Sequence, residues 1–195
     1  TGRVSGAVED SSQQGPVLVD EGVPVGVVTG GQAIGWLDGQ VQGSGAHAGT
    51  TPRARRKDAL FGVAQMAAQL EALADEYAPK GLVTIGQLSI AKSSRNTIAG
   101  SVNFTVDLRH HQDQQIAAME QQVQQSFQQV ADSRGLPLKV EHHWLSPATP
   151  FDADGVAAVR PSRRALAYAH PDILRVSGPA RRLPAGAAPG ALPTP

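Results

Sequence analysis

The chain has 195 residues, 41% of them apolar and only 4% aromatic, with 17 basic and 17 acidic side chains that cancel. That length allows one ordinary domain, or one domain with pieces of another, around a core built mainly from Val, Leu, Ile and Ala. Zero net charge argues against electrostatic capture of nucleic acid or an anionic membrane, and the absence of cysteine excludes disulfides, thiolate metal sites and cysteine nucleophiles. No apolar run approaches the ~20 residues of a membrane span. The N-terminal TGRVSGAVEDSSQQ lacks the charged-then-apolar order of a signal peptide. The first residue is not Met, which suggests a fragment or processed product, and a soluble cytoplasmic protein is the default expectation.

Residues 1–31 are rich in Gly and Val, with an apolar run from Val23 to Val28 that suits a buried strand. Ile34 to Val41 reads as a second strand, followed by the loop GSGAHAGTTP. Pro52 suits the first turn of a helix, where its missing N–H is not needed, and the helix is predicted to run to about Tyr77. Leu60, Val63, Ala64, Ala67, Leu70 and Ala74 would form its apolar face, and Pro79 and Gly81 stop it. The basic run Arg53, Arg55, Arg56, Lys57 is short, precedes Asp58, and reads as a solvated helix start. Leu82 to Ile90 and Ser101 to Leu108 alternate as strands, the latter sharing Val102, Phe104, Val106 and Leu108 on one face, with the loop AKSSRNTIAG between them.

A second helix is predicted over about Asp113 to Ser133. Ile116, Met119, Val123, Phe127 and Val130 form its stripe, its other face is nearly all Gln, and Gly135 is placed as its cap. Leu136 to Trp144 closes the unit as a strand. The order strand, helix, strand, strand, helix, strand predicts an α+β fold: a four-stranded antiparallel sheet with both helices on one face. Residues 146–195 drift into Pro, Ala, Gly and Arg, ending in PAGAAPGALPTP, where no packed element is predicted.

Chemistry concentrates in three places. His47 sits in a Gly/Ala loop between a strand and a predicted helix start, where it can project into a cleft. The backbone N–H groups near Thr50 and Thr51 can there bind an oxyanion. The alternative is a turn that needs Gly for its backbone angles and merely exposes His47. Arg109 ends the strand FTVDLRH and offers a fork to a carboxylate, or alternatively pairs with Asp107 on the surface. Asn96 either contacts a ligand or is a turn residue. The pairs His110–His111 and His142–His143, and the lone His170, lack the spacing of a metal site and read as surface residues.

GVVTGGQAIGWLDGQVQGSGAHAGTTPRARRKDAL, then RNTIAG, then VNFTVDLRH, resemble the lid domain of the metal-dependent amidohydrolases that include N-carbamoyl-L-amino-acid hydrolases, β-ureidopropionases and allantoate or ureidoglycolate amidohydrolases. The similarity extends over about residues 14–145. It implies that residues 32–145 are a lid and dimerisation domain, with residues 1–31 and 146–195 as incomplete segments of a catalytic domain. It implies that His47 stabilises the tetrahedral oxyanion, Asn96 hydrogen-bonds the substrate and Arg109 clamps its carboxylate. A small-molecule carboxylate is the implied substrate and a homodimer through the lid the implied assembly, in which one subunit can complete its neighbour's site. The family uses two divalent metals, zinc or manganese. This sequence departs from the family's ligand pattern with Ser11 for a histidine, Gln13 for a glutamate, Pro189 for a histidine and Gly190 for an aspartate, and Ala99 replaces a common proline. The resemblance therefore implies a chain that binds no metal itself.

Three expectations remain open: an incomplete or inactive portion of a hydrolase acting on a carbamoyl or ureido C–N bond; a non-catalytic, carboxylate-binding dimerisation module; and a decayed product without a selected role.

Overall fold

The computed structural model describes residues 16–164 and 172–175. They form α1 (Val17–Asp20), β1 (Val27–Gly31), β2 (Ala33–Gln42), β3 (Ala46–His47), a 3-10 turn (Arg53–Arg55), α2 (Ala59–Tyr77), β4 (Leu82–Ile90), β5 (Thr97–Ile98), β6 (Ser101–His110), α3 (Asp113–Arg134), β7 (Leu138–Ser146), β8 (Thr149–Pro150), α4 (Ala153–Arg164) and β9 (Asp172–Arg175). The chain divides into two units, Gln32–Ala148 and the flanking segments Thr1–Gly31 with Thr149–Pro195.

The larger unit is built on alternation. Along β6, Val102, Phe104, Val106, Leu108 and His110 are buried while their neighbours are more exposed, and β2 alternates in the same way from Leu37 onward. The two strands pair antiparallel without interruption from Ala33 with His110 to Gln42 with Ser101. β4 joins the outer side of β6 and β7 the outer side of β2, giving the order β4-β6-β2-β7, antiparallel throughout. Both long helices cover the same face of this sheet. The α+β sheet with two helices on one face is thus the observed architecture.

The stripe of α3 is buried at all five expected positions, and burying each side chain stabilises the unit by about 1.5–3 kcal/mol relative to exposure. Phe127 is fully buried against Phe104, edge to face at a centroid distance of 5.6 Å. Gly135 ends the helix in the left-handed conformation (φ 60°), and its N–H and that of Leu136 close back on the last turn. That closure and Pro137 delay the following strand to Leu138, two residues later than expected.

Two further expectations need correction. α2 starts at Ala59, because the Asp58 carboxylate accepts from the Leu60 and Phe61 N–H groups and caps it; Pro52 opens the separate 3-10 turn. Its buried face is Ala59, Gly62, Val63, Met66, Leu70 and Leu73, while Ala64 is exposed. Met and Leu carry more apolar area than Ala, so they set the rotation of the helix. The strand expected from Val23 begins only at Val27, after Pro24, which has no N–H to give a ladder.

In the flanking unit, β1 pairs antiparallel with β8 and parallel with β9, and α4 packs on β1. No helix among the described residues is long and apolar enough to cross a membrane.

His110 is not the surface residue expected. Alternation carries it to the core side of β6, where it is 5% exposed, its Nδ1 accepts the Gln112 N–H at 3.0 Å, and Tyr77 meets its ring edge-on. Burial, with Lys80 adding, holds its pKa below the ordinary His value, and partial desolvation does the same at the exposed His111, with His110 and Lys80 adding. The unfolded chain therefore takes up protons first as pH falls through about 6.5, so this stability is complete above that value and is lost towards the depressed folded pKa. Melting temperature should fall between about pH 7.5 and 5.5, with a shallower slope in His110→Gln, as measured by scanning calorimetry. Phe127→Ala should cost about 3–5 kcal/mol in urea unfolding, against less than about 0.5 kcal/mol for Gln125→Ala on the exposed face.

Candidate functional site

Three segments of the larger unit meet beyond the Gln42/Ser101 end of the central strands. The first is the turn GSGAHAGTTP, the second the approach to α2, the third the loop before β6. The Gly43 N–H donates to Gly100 O (2.8 Å), the Ser44 N–H to Lys57 O (2.8 Å) and the Ala59 N–H to Ala99 O (3.0 Å). β3 and β5 pair antiparallel, Ala46 with Ile98 and His47 with Thr97, and the Ala48 N–H continues the ladder to Asn96 O at 2.7 Å. A Cβ on Gly43 would strike the Lys57 carbonyl oxygen, and one on Gly100 would lie 2.7 Å from the Gly45 nitrogen. Only glycine permits the segments to approach this closely.

His47 and Asn96, 49 positions apart in sequence, therefore lie on neighbouring rungs of one small ladder. The Gly49 N–H donates to His47 Nδ1 at 3.1 Å. A nitrogen that accepts carries no proton, so the neutral ring holds its hydrogen on Nε2 and offers it as a donor. Asn96 is oriented in the same sense: its Oδ1 accepts from Ser94 Oγ (2.8 Å), leaving the NH2 to donate outward. Both side chains present hydrogen-bond donors at this end.

Of the backbone N–H groups near Thr50 and Thr51 expected to bind an oxyanion, that of Thr51 is already engaged within the turn. The Ala48, Gly49 and Thr51 N–H groups go to Asn96 O, His47 Nδ1 and His47 O. The reason is local: α2 begins seven residues after Pro52, so no helix N-terminus frees N–H groups at the turn.

Arg109 lies at the opposite end of the sheet. It pairs with Ile34 and Leu82 near the start of β2 and β4, on the face away from the helices. Counting rungs along β6 at 3.3 Å each separates it from the His47 end by roughly 25 Å. One copy of the chain does not bring the three residues together. Asp107 receives Nε and Nη2 of Arg109 at 2.8 Å each and the indole N–H of Trp36 at 2.9 Å. This pair, anticipated as an alternative, fixes the plane of the guanidinium, and the Asp107 bond, opposed by burial, raises the Arg109 pKa further.

Arg56 was hidden in the sequence. Expected as part of a solvated basic run, it is instead half-buried, donating from Nε to Thr51 O (2.9 Å) and from Nη2 to Ala48 O (2.6 Å). Arg53, Arg55 and Lys57 are exposed. Nothing in the run itself sets Arg56 apart from its basic neighbours.

His142 and His143 are surface residues, paired with Glu120 and Asp38 at 3.0 Å each. Among the described residues no three His, Asp or Glu converge as a metal ion requires, so they do not fit the divalent metals implied by the resemblance. Ser11, Gln13, His170, Pro189 and Gly190 lie outside the described residues.

No family model matches the chain. It is 31% identical over 171 residues to an N-carbamoyl-L-amino-acid amidohydrolase of Paenarthrobacter aurescens, covering 88% of this chain and 42% of that protein. It is 33% identical over 171 residues to an allantoate deiminase of Arabidopsis thaliana, covering 78% of this chain and 31% of the relative. A crystal structure of a hydantoinase/carbamoylase family amidase from Burkholderia ambifaria superposes with a TM-score of 0.81 at 51% identity, over 85% of this chain and 41% of that one. The chain thus spans about two fifths or less of the length of these relatives.

Gly43→Ala should destabilise the unit by about 1–3 kcal/mol, because the Lys57 carbonyl must move off its Ser44 bond. Asp107→Ala should cost about 1–2 kcal/mol in urea unfolding and shift Trp36 emission to longer wavelength as its indole N–H turns to water, read in a Trp144→Phe background.

Proposed function

The chain belongs to the hydantoinase/carbamoylase family of amidohydrolases, and we propose that Gln32–Ala148 is the lid that grips the substrate of such an enzyme and joins two copies. The substrate class is a small carboxylate bearing a carbamoyl or ureido group, as in N-carbamoyl amino acids and allantoate. His47 and Asn96 donate to the carbonyl oxygen at the scissile C–N bond, where negative charge builds up, and Arg109 holds the carboxylate. The water nucleophile and the divalent metals that activate it belong to the catalytic part of the family, and the described residues hold no site for them.

The observation that carries this reading is the separation of the donors from the Arg109 fork. A carbamoyl amino acid spans less than about 10 Å, far short of the roughly 25 Å between the two ends. The three residues serve one ligand when the His47 end of one copy meets the Arg109 end of another, as a two-fold assembly allows. On this reading residues 1–31 and 146–195 are parts of the catalytic domain.

A second reading, a carboxylate-binding dimerisation module without turnover, is favoured by Pro189 and Ser11. Neither side chain supplies the imidazole that the family places there.

The composite site is tested by mixing. His47→Ala and Arg109→Ala should each abolish binding of an N-carbamoyl amino acid in calorimetry. A refolded one-to-one mixture should recover about a quarter of the sites through random pairing. A chain that sediments as a monomer, or a mixture that recovers nothing, overturns the composite site. Metal analysis after incubation with zinc or manganese, with hydrolysis of N-carbamoyl amino acids and allantoate, tests the assignment of the metal chemistry to another part of the family's fold. We expect no stoichiometric metal and no turnover from the 195-residue chain.

A further inference from the structure

We propose that Arg56 is the positioning residue for His47: by tying the carbonyls of Ala48 and Thr51 across the HAGTTP turn, it holds the imidazole in the form that donates from Nε2. The inference goes one step past the proposed oxyanion role of His47 and rests on it for its functional meaning, but not for its structural content.

The turn has little else to hold it. Besides His47 and Pro52 its residues are Gly, Ala and Thr, which contribute few apolar contacts, so its backbone gains conformational freedom wherever hydrogen bonds do not hold it. Three hydrogen bonds give it shape from within and from the neighbouring loop: Thr51 N–H to His47 O (3.2 Å), Gly49 N–H to His47 Nδ1 (3.1 Å) and Ala48 N–H to Asn96 O (2.7 Å). None of these engages the carbonyls of Ala48 and Thr51, which lie on either side of the bend. Arg56 takes both with one planar group.

The geometry suits arginine and not lysine. Nε and Nη2 lie on one rigid edge and point the same way, so two acceptors are fixed relative to each other; an ammonium on a flexible stem imposes no such relation. The seat of Arg56 is itself rigid. Its N–H closes the 3-10 turn on Arg53 O (3.1 Å), the next carbonyl accepts from Ser44, and Asp58 caps α2. The staple therefore couples the turn to the frame of a nineteen-residue helix.

The consequence for His47 follows from hydrogen-bond accounting. The Gly49 N–H reaches Nδ1 only while the turn is closed. When it does, the proton must sit on Nε2, because a protonated Nδ1 would set two N–H groups against each other. If the turn opens, both neutral tautomers are populated and the donor is no longer fixed in place.

The test is NMR of the intact chain labelled with 15N-histidine, supported by amide exchange. In the wild type, His47 Nδ1 should resonate as an unprotonated nitrogen and Nε2 as a protonated one. In Arg56→Ala both should shift toward intermediate values, and exchange of the Gly49 and Thr51 amides should speed up by about ten-fold or more. Arg56→Lys should behave like the alanine variant, Arg55→Ala like the wild type, and added guanidinium should partly restore the Ala variant. The Lys variant also serves if the Ala variant does not fold. A His47 spectrum unchanged in folded Arg56→Ala or Arg56→Lys overturns the proposal. The measurement needs no ligand, so failure of the wild type to bind an N-carbamoyl amino acid counts against the function of His47 and leaves the role of Arg56 intact.

Discussion

Ten consecutive pairs, from Ala33 with His110 to Gln42 with Ser101, lock β2 to β6, and nearly every other feature of the larger unit is referenced to them. Side chains alternate along a strand, so a slip of β6 by one residue against β2 would carry Phe104 and Val106 to the outer face and remove half of the central floor beneath the helices. The same alternation sends Trp36, Asp107 and Arg109 to the uncovered face, where Asp107 bridges the other two. The ladder also has two ends. One carries the Arg109 fork and the other leads into the glycine-rich turn. The length of a single strand pair therefore separates the Arg109 guanidinium from the side chains of His47 and Asn96.

The outer strands are less regular than the inner pair. β4 breaks register between Ile85 and Leu88, and β7 breaks it opposite Trp36 and Leu37. In β7 the irregularity leaves His143 as the extra residue. It turns to Asp38 and lies beside Trp36, while Trp144 meets the Trp36 ring at 5.0 Å. Bulges on edge strands add twist and re-aim side chains. Here they flank an unbroken centre, so the irregularity alters what the open face presents without disturbing the core.

At the turn end, order comes from polar bonds. The core of the unit is apolar and its helices are held by area, but the HAGTTP turn has almost no apolar area to bury. It is held by a count of donors and acceptors: three of its N–H groups and three of its carbonyls have partners among Asn96, Arg56 and the turn's own residues. Such a structure is sensitive to single substitutions, because each lost bond frees several residues. It also means that the groups facing outward, His47 Nε2–H and the Asn96 amide NH2, are donors by construction.

The sequence by itself determined the α+β order, the α3 stripe from Ile116 to Val130, the Gly135 cap and the resemblance that names the family. These depend on periodicities and short motifs that neighbouring residues carry. It also marked His47, Asn96 and Arg109 as the polar residues worth following. It misplaced the start of α2, because Pro52 is locally a good helix opener, whereas in the structure the Asp58 carboxylate takes the Leu60 and Phe61 N–H groups and starts the helix at Ala59. The burial of His110 was present in the alternation but was masked by its neighbour His111. Tertiary structure alone decided that His47 and Asn96 share a ladder, that Arg109 stands at the far end, and that Arg56 is withdrawn from its basic run to staple the turn. Each of these joins segments that are remote in the chain, or turns on which carbonyl a flexible side chain reaches, and no local pattern of residues encodes that distance.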